Sequence, residues 1–503
     1  VAKAWNPLIV VALLIAAAGM LSTFDGPFDH GWLGHNGARY SLIARNYLTH
    51  GLTWQDGAPR LDVGVPSQQH PVVYAHHPPA VAMVVAMAFD LAGVSENAAR
   101  AVPALATLLA LGLLARLVGR VAGPREAALT VLAAVAQPMV SIYGAHVDVQ
   151  GMPVLCASLV VILAYLRWLR RGGLGALLLS ALVASAFDWY GLYAPAACAA
   201  HLWFTQPTRR ATAVGLLLYT AALTGLWVGW LLGLAGVTAA DLSAASGPRG
   251  PAALLAQSAE LPRALSEWWT ATRTLMPGWP LLLAVALAVL AGKLGRPTIA
   301  DPPPDEPRRL GPRGLLGLLL LPPLVHGLLF PAGMLQHGYW LFGLPFGLAL
   351  GLALALRPLR APVAVAAVAL LLPAGIAGAR RLLDETDQIP VLMGRALAEH
   401  TAPPDVVLTN YAVNPFEHDA TGDSWLLMRP EVSFYSDRVV RGGLEQAADV
   451  DDALRRRPDA DWFLLVPWPP PSPGLAAAVD ALTEGEPLAL SGDPPVTLHR
   501  LRR

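Results

Sequence analysis

Apolar runs long enough to cross a hydrocarbon core recur along this chain, and they decide its class before any single residue is considered. The first covers residues 7–21, and others lie near 101–118, 126–143, 151–168, 174–190, 191–206, 212–235, 276–292, 314–331, 339–356 and 360–378, eleven predicted spans in all. A chain of 503 residues that is 55% hydrophobic and 14% charged, with a mean hydropathy of +0.48, reads as a polytopic α-helical membrane protein. Only Lys3 precedes the first run and no small-residue cleavage site follows it, so that run reads as an uncleaved signal anchor. Cys156 and Cys198 both fall inside spans, where they pack, and support neither a disulfide framework nor a thiolate metal site.

Orientation follows from the basic residues, which collect in short cytoplasmic loops. With the N-terminus inside, the cytoplasmic turns hold Arg116, Arg120 and Arg125; Arg167, Arg170 and Arg171; Arg209 and Arg210; Lys293, Arg296, Arg308, Arg309 and Arg313; and Arg357 and Arg360. The alternate loops are poor in them. Treating the apolar run 80–92 as a full span inverts this pattern, and a dozen residues is short for one, so it reads as an interfacial or re-entrant helix. The predicted setting is a plasma (inner) membrane, multi-pass, with the N-terminus cytoplasmic and the C-terminus periplasmic or extracellular.

Three regions then face outward. The first outer loop, 24–100, is too rich in Gly, Pro and polar residues over 26–74 to span, yet Ala38, Leu42, Ile43 and Tyr47 share one face of an amphipathic helix over 36–50. The loop 236–276 carries Trp268 and Trp269 on a second interfacial helix. The tail, 380–503, holds 20 of the 35 acidic residues against 12 Arg, and divides from the membrane region, 1–379, as a small α/β domain. Its β-rich runs are 406–409, 432–435, 462–466 and 496–501; its helical stretches include 391–400 and 444–457. The Pro- and Arg-rich stretch 295–312 reads as a cytoplasmic linker.

The residues that carry chemistry gather at the outer ends of the spans. Asp25, Asp29, His30, His35, Asn36, Arg39 and Arg45 lie in the first loop, followed by His76-His77-Pro78-Pro79. His146 and Asp148, then Asp188-Trp189, then His337 and Tyr339 stand at the outer ends of later spans. Each of these alone reads equally as a boundary residue, Trp and Tyr being frequent there, but idle polar residues divide between both faces and these do not.

The segment Ala-Arg-Tyr-Ser-Leu-Ile-Ala-Arg-Asn-Tyr-Leu at 38–48, the His-Pro-Pro at 77–79 with Gly-Val-Ser-Glu-Asn-Ala-Ala-Arg at 93–100, and the many-span layout resemble the GT-C superfamily of membrane glycosyltransferases. The branch most similar is family 39, which includes protein O-mannosyltransferases and lipid A aminoarabinose transferases. The resemblance is specific over roughly the first two hundred residues and architectural beyond them. It implies a polyprenyl-phosphate sugar donor and an Asp of the first outer loop as base on the acceptor. In one respect the chain departs from the family: the acidic pair usual before the Ala-Arg-Tyr-like segment is replaced by His35-Asn36. The base then falls to Asp29, with Asp25 second.

Transfer from a lipid-linked phosphate needs a carboxylate to deprotonate the acceptor and cations to neutralise the leaving phosphate. Arg39, Arg45, His76 and His77 are the candidates for the phosphate; snorkelling is the competing reading of the arginines, and a proline-led helix start that of the histidines. His35, Asn36, His146, Asp148, Asp188, Trp189, His337 and Tyr339 are candidates for substrate contact. A divalent metal on His30, His35, His146 and Asp148 is an open alternative, although no H-x-x-x-H spacing supports it. The acceptor is a glycan, lipid or protein, the other partner is membrane lipid, and no nucleic acid is implied. Two other classes stay open: a transporter or lipid flippase, which needs polar groups at mid-membrane, and a catalytically silent glycan-binding scaffold.

Overall fold

A computed structural model describes residues 5–24, 26–29, 31–52, 57–61, 63, 73–74, 76–234, 239, 250–252, 261–292, 310–403, 405–411, 430–467, 470–491 and 495–502. Asp25, His30 and the linker up to residue 309 lie outside these, as do most of loop 236–260 and residues 412–429.

The chain opens with α1 (Asn6–Leu21), α2 (Gly31–His50), α3 (Ala80–Ala92) and α4 (Glu96–Val121). Then come α5 (Pro124–Val135), α6 (Pro138–Ser141), α7 (Met152–Arg171), α8 (Gly175–Phe187), α9 (Tyr193–Thr205) and α10 (Arg210–Gly233). The membrane region closes with α11 (Leu261–Leu275), α12 (Trp279–Leu290), α13 (Pro312–Leu329), α14 (Pro331–Gln336), α15 (Leu344–Ala355), α16 (Ala361–Ala369) and α17 (Leu372–Asp384).

Among the described residues five helices are long and apolar enough to cross a membrane, or seven if two bent pairs each count as one span. The remaining predicted spans fall on shorter apolar helices such as α1, α8 and α15. A helix of 12 residues rises about 18 Å, short of a hydrocarbon core, so α15 reaches only part of the way. Breaks account for the rest: α5 meets the segment 138–145 at 84° where Pro138 removes a backbone donor, and α11 meets α12 at 76°. Leu91, Phe204, Leu328 and Leu370 stand exposed on the outside of the bundle, the side chains expected against lipid.

The helix of the first loop begins at Gly31, five residues before the predicted start at 36. Ala38, Leu42, Ile43 and Tyr47 do share its buried face. The chain before the helix packs closely on its first turns: a Cβ on Gly34 would stand 2.5 Å from the Phe28 carbonyl oxygen, and one on Gly37 2.6 Å from the Phe28 ring. Only glycine admits that approach. Arg100 holds the returning strand of chain, donating to the carbonyls of Phe24 (3.1 Å), Gly26 and Pro27 (2.8 Å) and lying over the Phe28 ring.

Beyond α17 follow α18 (Ile389–His400), β1 (Val406–Thr409), α19 (Pro430–Ser436), β2 (Val439–Arg441), α20 (Ala447–Arg456), β3 (Ala460–Leu465), α21 (Pro473–Leu482), β4 (Leu488–Ser491) and β5 (Val496–Arg500). The strands form one mixed sheet in the order β2-β1-β3-β5-β4, parallel across β2, β1 and β3 and antiparallel at β3-β5-β4. One predicted strand is corrected: Val432 to Tyr435 is helical, inside α19. A short apolar run does not distinguish a strand from a buried helix, and Pro430 at the first helical position, with Glu431 in the first turn, starts a helix. Asp437, at φ 55°, follows it in the left-handed region.

That correction matters because α19 docks on the first loop. The Phe28 amide donates to Tyr435 Oη at 2.7 Å, Tyr435 donates to Glu96 at 2.8 Å, and the Phe28 and Phe434 rings meet edge-on.

Candidate active site

The first turns of α2 set His35, Asn36 and Arg39 on one face, positions four apart being neighbours on a helix. Arg39 Nη2 lies 2.5 Å from His35 Nε2, and its guanidinium lies 5.0 Å from the centre of the Tyr74 ring. Asn36 Nδ2 donates to Asp148 Oδ2 at 2.8 Å and to Tyr339 Oη at 3.1 Å. One asparagine thus ties together segments more than one hundred and three hundred residues apart.

Asp148 sits in the short non-helical segment that links 138–145 to α7 and is 3% exposed. It also accepts from the Gln150 amide at 3.2 Å, with Tyr143 Oη 3.5 Å and His146 Nε2 3.9 Å away. Burial raises its pKa to about 7, against the opposing effect of the Gln150 and Asn36 donors and with a smaller upward push from Asp188. A carboxyl group poised there exchanges a proton readily at neutral pH. Tyr143 stacks on Tyr339 at 5.5 Å, and His337 lies 5.3 Å from the Tyr339 ring.

A second carboxylate–imidazole pair lies on the other side of Tyr74. Asp188 is fully buried at the end of α8, accepts from the Tyr190 amide at 2.7 Å and holds His77 Nδ1 at 2.5 Å. Trp189 Nε1 donates to the His76 carbonyl at 2.7 Å. The Tyr74 ring lies 4.9 Å from His76 and 5.9 Å from His77, so both histidines and Arg39 pack against it.

A third carboxylate enters from the C-terminal domain. Glu431, on α19 and 2% exposed, places Oε2 3.4 Å from His35 Nδ1. No spacing in the sequence points to it, since it precedes a run that reads as a strand. Tyr74 and Tyr143 are likewise absent from the predicted set, although each lies within four residues of a predicted histidine.

The structure therefore brings His35, Asn36, Arg39, His76, His77, His146, Asp148, Asp188, Trp189, His337 and Tyr339 into one connected cluster. Arg45 is not part of it. Six residues beyond Arg39, it pairs with Asp437 at 2.9 Å and donates to the Phe434 carbonyl at 3.3 Å, on the face of α2 that meets α19. Asp29 is buried just before α2, its carbonyl accepting from the Asp387 amide, and its charge acts on Arg100. The cleft beside it is lined by Phe28, Gly34, Arg100, His146 and Leu382, and so reaches the segment that carries Asp148.

The described residues give no donor set for a metal. Among the described residues no three His, Cys, Asp or Glu side chains converge. Of the four proposed ligands His30 lies outside the described residues, His35 faces Arg39 and Glu431, and His146 is 3.9 Å from Asp148.

Residues 76–237 match the family described as dolichyl-phosphate-mannose-protein mannosyltransferase. The oligosaccharyltransferase of Archaeoglobus fulgidus in its apo form superposes with a TM-score of 0.55 at 12% identity, over 92% of this chain and 69% of that one. The A. fulgidus enzyme AglB in complex with an inhibitory peptide and a dolichol-phosphate gives 0.52 at 12% identity, over 95% and 72%. ArnT from Cupriavidus metallidurans bound to undecaprenyl phosphate aligns over 99% of this chain and 98% of that one at 15% identity, with a TM-score of 0.48. No curated protein sequence matches the chain. The family match and the shared fold show the resemblance to GT-C membrane glycosyltransferases that the sequence motifs suggest.

Proposed function

We propose that the protein transfers a sugar from a polyprenyl-phosphate carrier to an acceptor at the membrane face that bears the buried cluster. The observation that carries this reading is the placement of Asp148, its pKa raised to about 7, on Asn36 of the same helix that carries Arg39, with the Arg39 guanidinium and the His77 ring both packed against Tyr74. In the proposed step Asp148 takes the proton of an acceptor hydroxyl as its oxygen bonds to the anomeric carbon. The bond from that carbon to the phosphate oxygen breaks, and the charge developing on the phosphate is met by Arg39 and His77. The dolichol-phosphate held by the A. fulgidus enzyme, whose fold this chain shares, supports a lipid-linked phosphate as the donor class. Asp29, the base expected from the first-loop pattern, is the rival assignment for the same step. Sugar and acceptor are left open, the latter being a glycan, lipid or protein.

Radiolabelled polyprenyl-phosphate sugars incubated with the purified protein and a membrane extract test the reading. Label leaving one carrier is the expected result; the absence of both turnover and saturable donor binding overturns the reading.

The cluster and the C-terminal domain are assigned to the outer face of the inner membrane from the distribution of arginines. Gly57 is a poor reporter of this, being buried at φ 75°. Thr49, exposed near the end of α2, is a better one. A cysteine there should react with an impermeant thiol reagent applied from outside, and protection in intact cells reverses the orientation.

A further inference from the structure

Among the carboxylates at the site that the reaction above does not use is Glu431, and its surroundings say what it does. Arg39 is a donor only and stays protonated, so the His35 nitrogen that faces it at 2.5 Å, Nε2, presents its lone pair. Neutral His35 then carries its proton on Nδ1, the nitrogen that faces Glu431 Oε2 at 3.4 Å. At that distance the link is electrostatic more than a short hydrogen bond. Guanidinium, imidazole and carboxylate follow one another in contact, and all three are buried. A buried cation and a buried anion persist when each compensates the other, and here one imidazole conducts that compensation. The carboxylate comes from the other domain: α19 is held against the first loop by Tyr435, which joins Phe28 to Glu96, and by the Arg45–Asp437 pair. In this chain His35-Asn36 stands where an acidic pair is usual in similar sequences, and Glu431 returns a carboxylate to the neighbourhood of that position from almost four hundred residues away.

We propose that Glu431 is the counter-anion of the Arg39–His35 pair: acting through His35, it neutralises part of the charge that a lipid-linked phosphate would meet, and so sets how tightly the phosphate is held and how readily it leaves. This rests on the assignment of Arg39 to the phosphate. Glu431 is accordingly a positioning residue. A structural brace and a counter-anion differ in the sign of their effect. Removing a brace loosens the site and weakens binding; removing a counter-anion leaves a more positive site and strengthens it.

The test uses the full chain purified in detergent, with undecaprenyl phosphate as the probe and thermal unfolding measured alongside. Glu431→Gln, which keeps the shape and removes the charge, should bind undecaprenyl phosphate more tightly, by about tenfold, the order expected for one charge acting across a partly shielded site. Glu431→Asp, which keeps the charge, should stay within about twofold of wild type, a small shift in distance being a small change in Coulomb energy. Unchanged or weaker binding in Glu431→Gln, with saturable binding in wild type, overturns the counter-anion and leaves the donor reading standing. No saturable binding in wild type overturns the donor reading and the proposal with it. If Glu431→Gln unfolds on extraction, the Arg39→Gln/Glu431→Gln double variant decides. Neutral at both ends of the row, it should unfold at a higher temperature than Glu431→Gln alone, and an equally unstable double variant contradicts the charge pairing.

Discussion

The two ends of the helical bundle use charge in opposite ways. At the end where α4 meets α5, Arg357 pairs with Glu126 at 3.0 Å and donates to the Ala122 carbonyl at 2.6 Å. Arg125 donates to the carbonyls of Leu356, Arg357 and Leu359. These cations close helix ends, satisfying carbonyls that have no partner within their own helix. At the other end, Asp148, Asp188 and Glu431 each face an imidazole or an amide, and the row runs on to aromatic faces and a cleft. Charge engaged with carbonyls and with an opposite charge holds a structure together. Charge paired with titratable or neutral partners beside a cleft is free to change partners when a substrate arrives.

The largest effect that this contrast predicts is at Asp148. Asp148→Asn should lower sugar transfer by roughly a hundredfold to ten-thousandfold, the usual contribution of a general base, with thermal unfolding little changed. A variant that keeps half of its activity removes Asp148 from that role. The accompanying pH profile sharpens the point. A base works deprotonated, and the Asp148 pKa is about 7, so kcat/KM should climb as pH rises through 7 and fall away below it. A wild-type profile flat from pH 5 to 8 would contradict the assignment. Asp29→Asn should cost less, about tenfold, because Asp29 acts on Arg100 and holds the turn before α2. If Asp29→Asn is dead and Asp148→Asn active, the two roles exchange. At the opposite end, Arg357→Ala leaves Glu126 buried without its partner, at a cost of roughly 3 kcal/mol. That should appear as a lower unfolding temperature with undecaprenyl phosphate affinity unchanged. Altered affinity would mean that the two ends are coupled.

What the sequence reveals divides along the same line. Helices announce themselves through long apolar runs, and polar residues at their ends are conspicuous, so His77, Asp148, Asp188 and Tyr339 are found without coordinates. The partners are harder. That Asn36 reaches Asp148, or His77 reaches Asp188, depends on how helices pack, and a single chain carries no record of it. Arg45 shows the limit: on the same helix as Arg39 and of the same type, it points to Asp437 because six residues turn it to another face. Glu431 lies further out of reach, since the helix that delivers it has the composition of a strand and its partner stands at the opposite end of the chain. The break at Pro138 likewise turns an apolar stretch into a bent pair, because a missing donor redirects the backbone without changing its hydropathy.

One paired measurement bears most directly on the division between the two ends: release of label from a polyprenyl-phosphate sugar by Asp148→Asn and by Arg357→Ala, each scored per folded molecule below its unfolding temperature. Turnover lost in the first and kept in the second is the predicted result. Turnover kept in Asp148→Asn and lost in Arg357→Ala would place the chemistry at the wrong end of the molecule and contradict it.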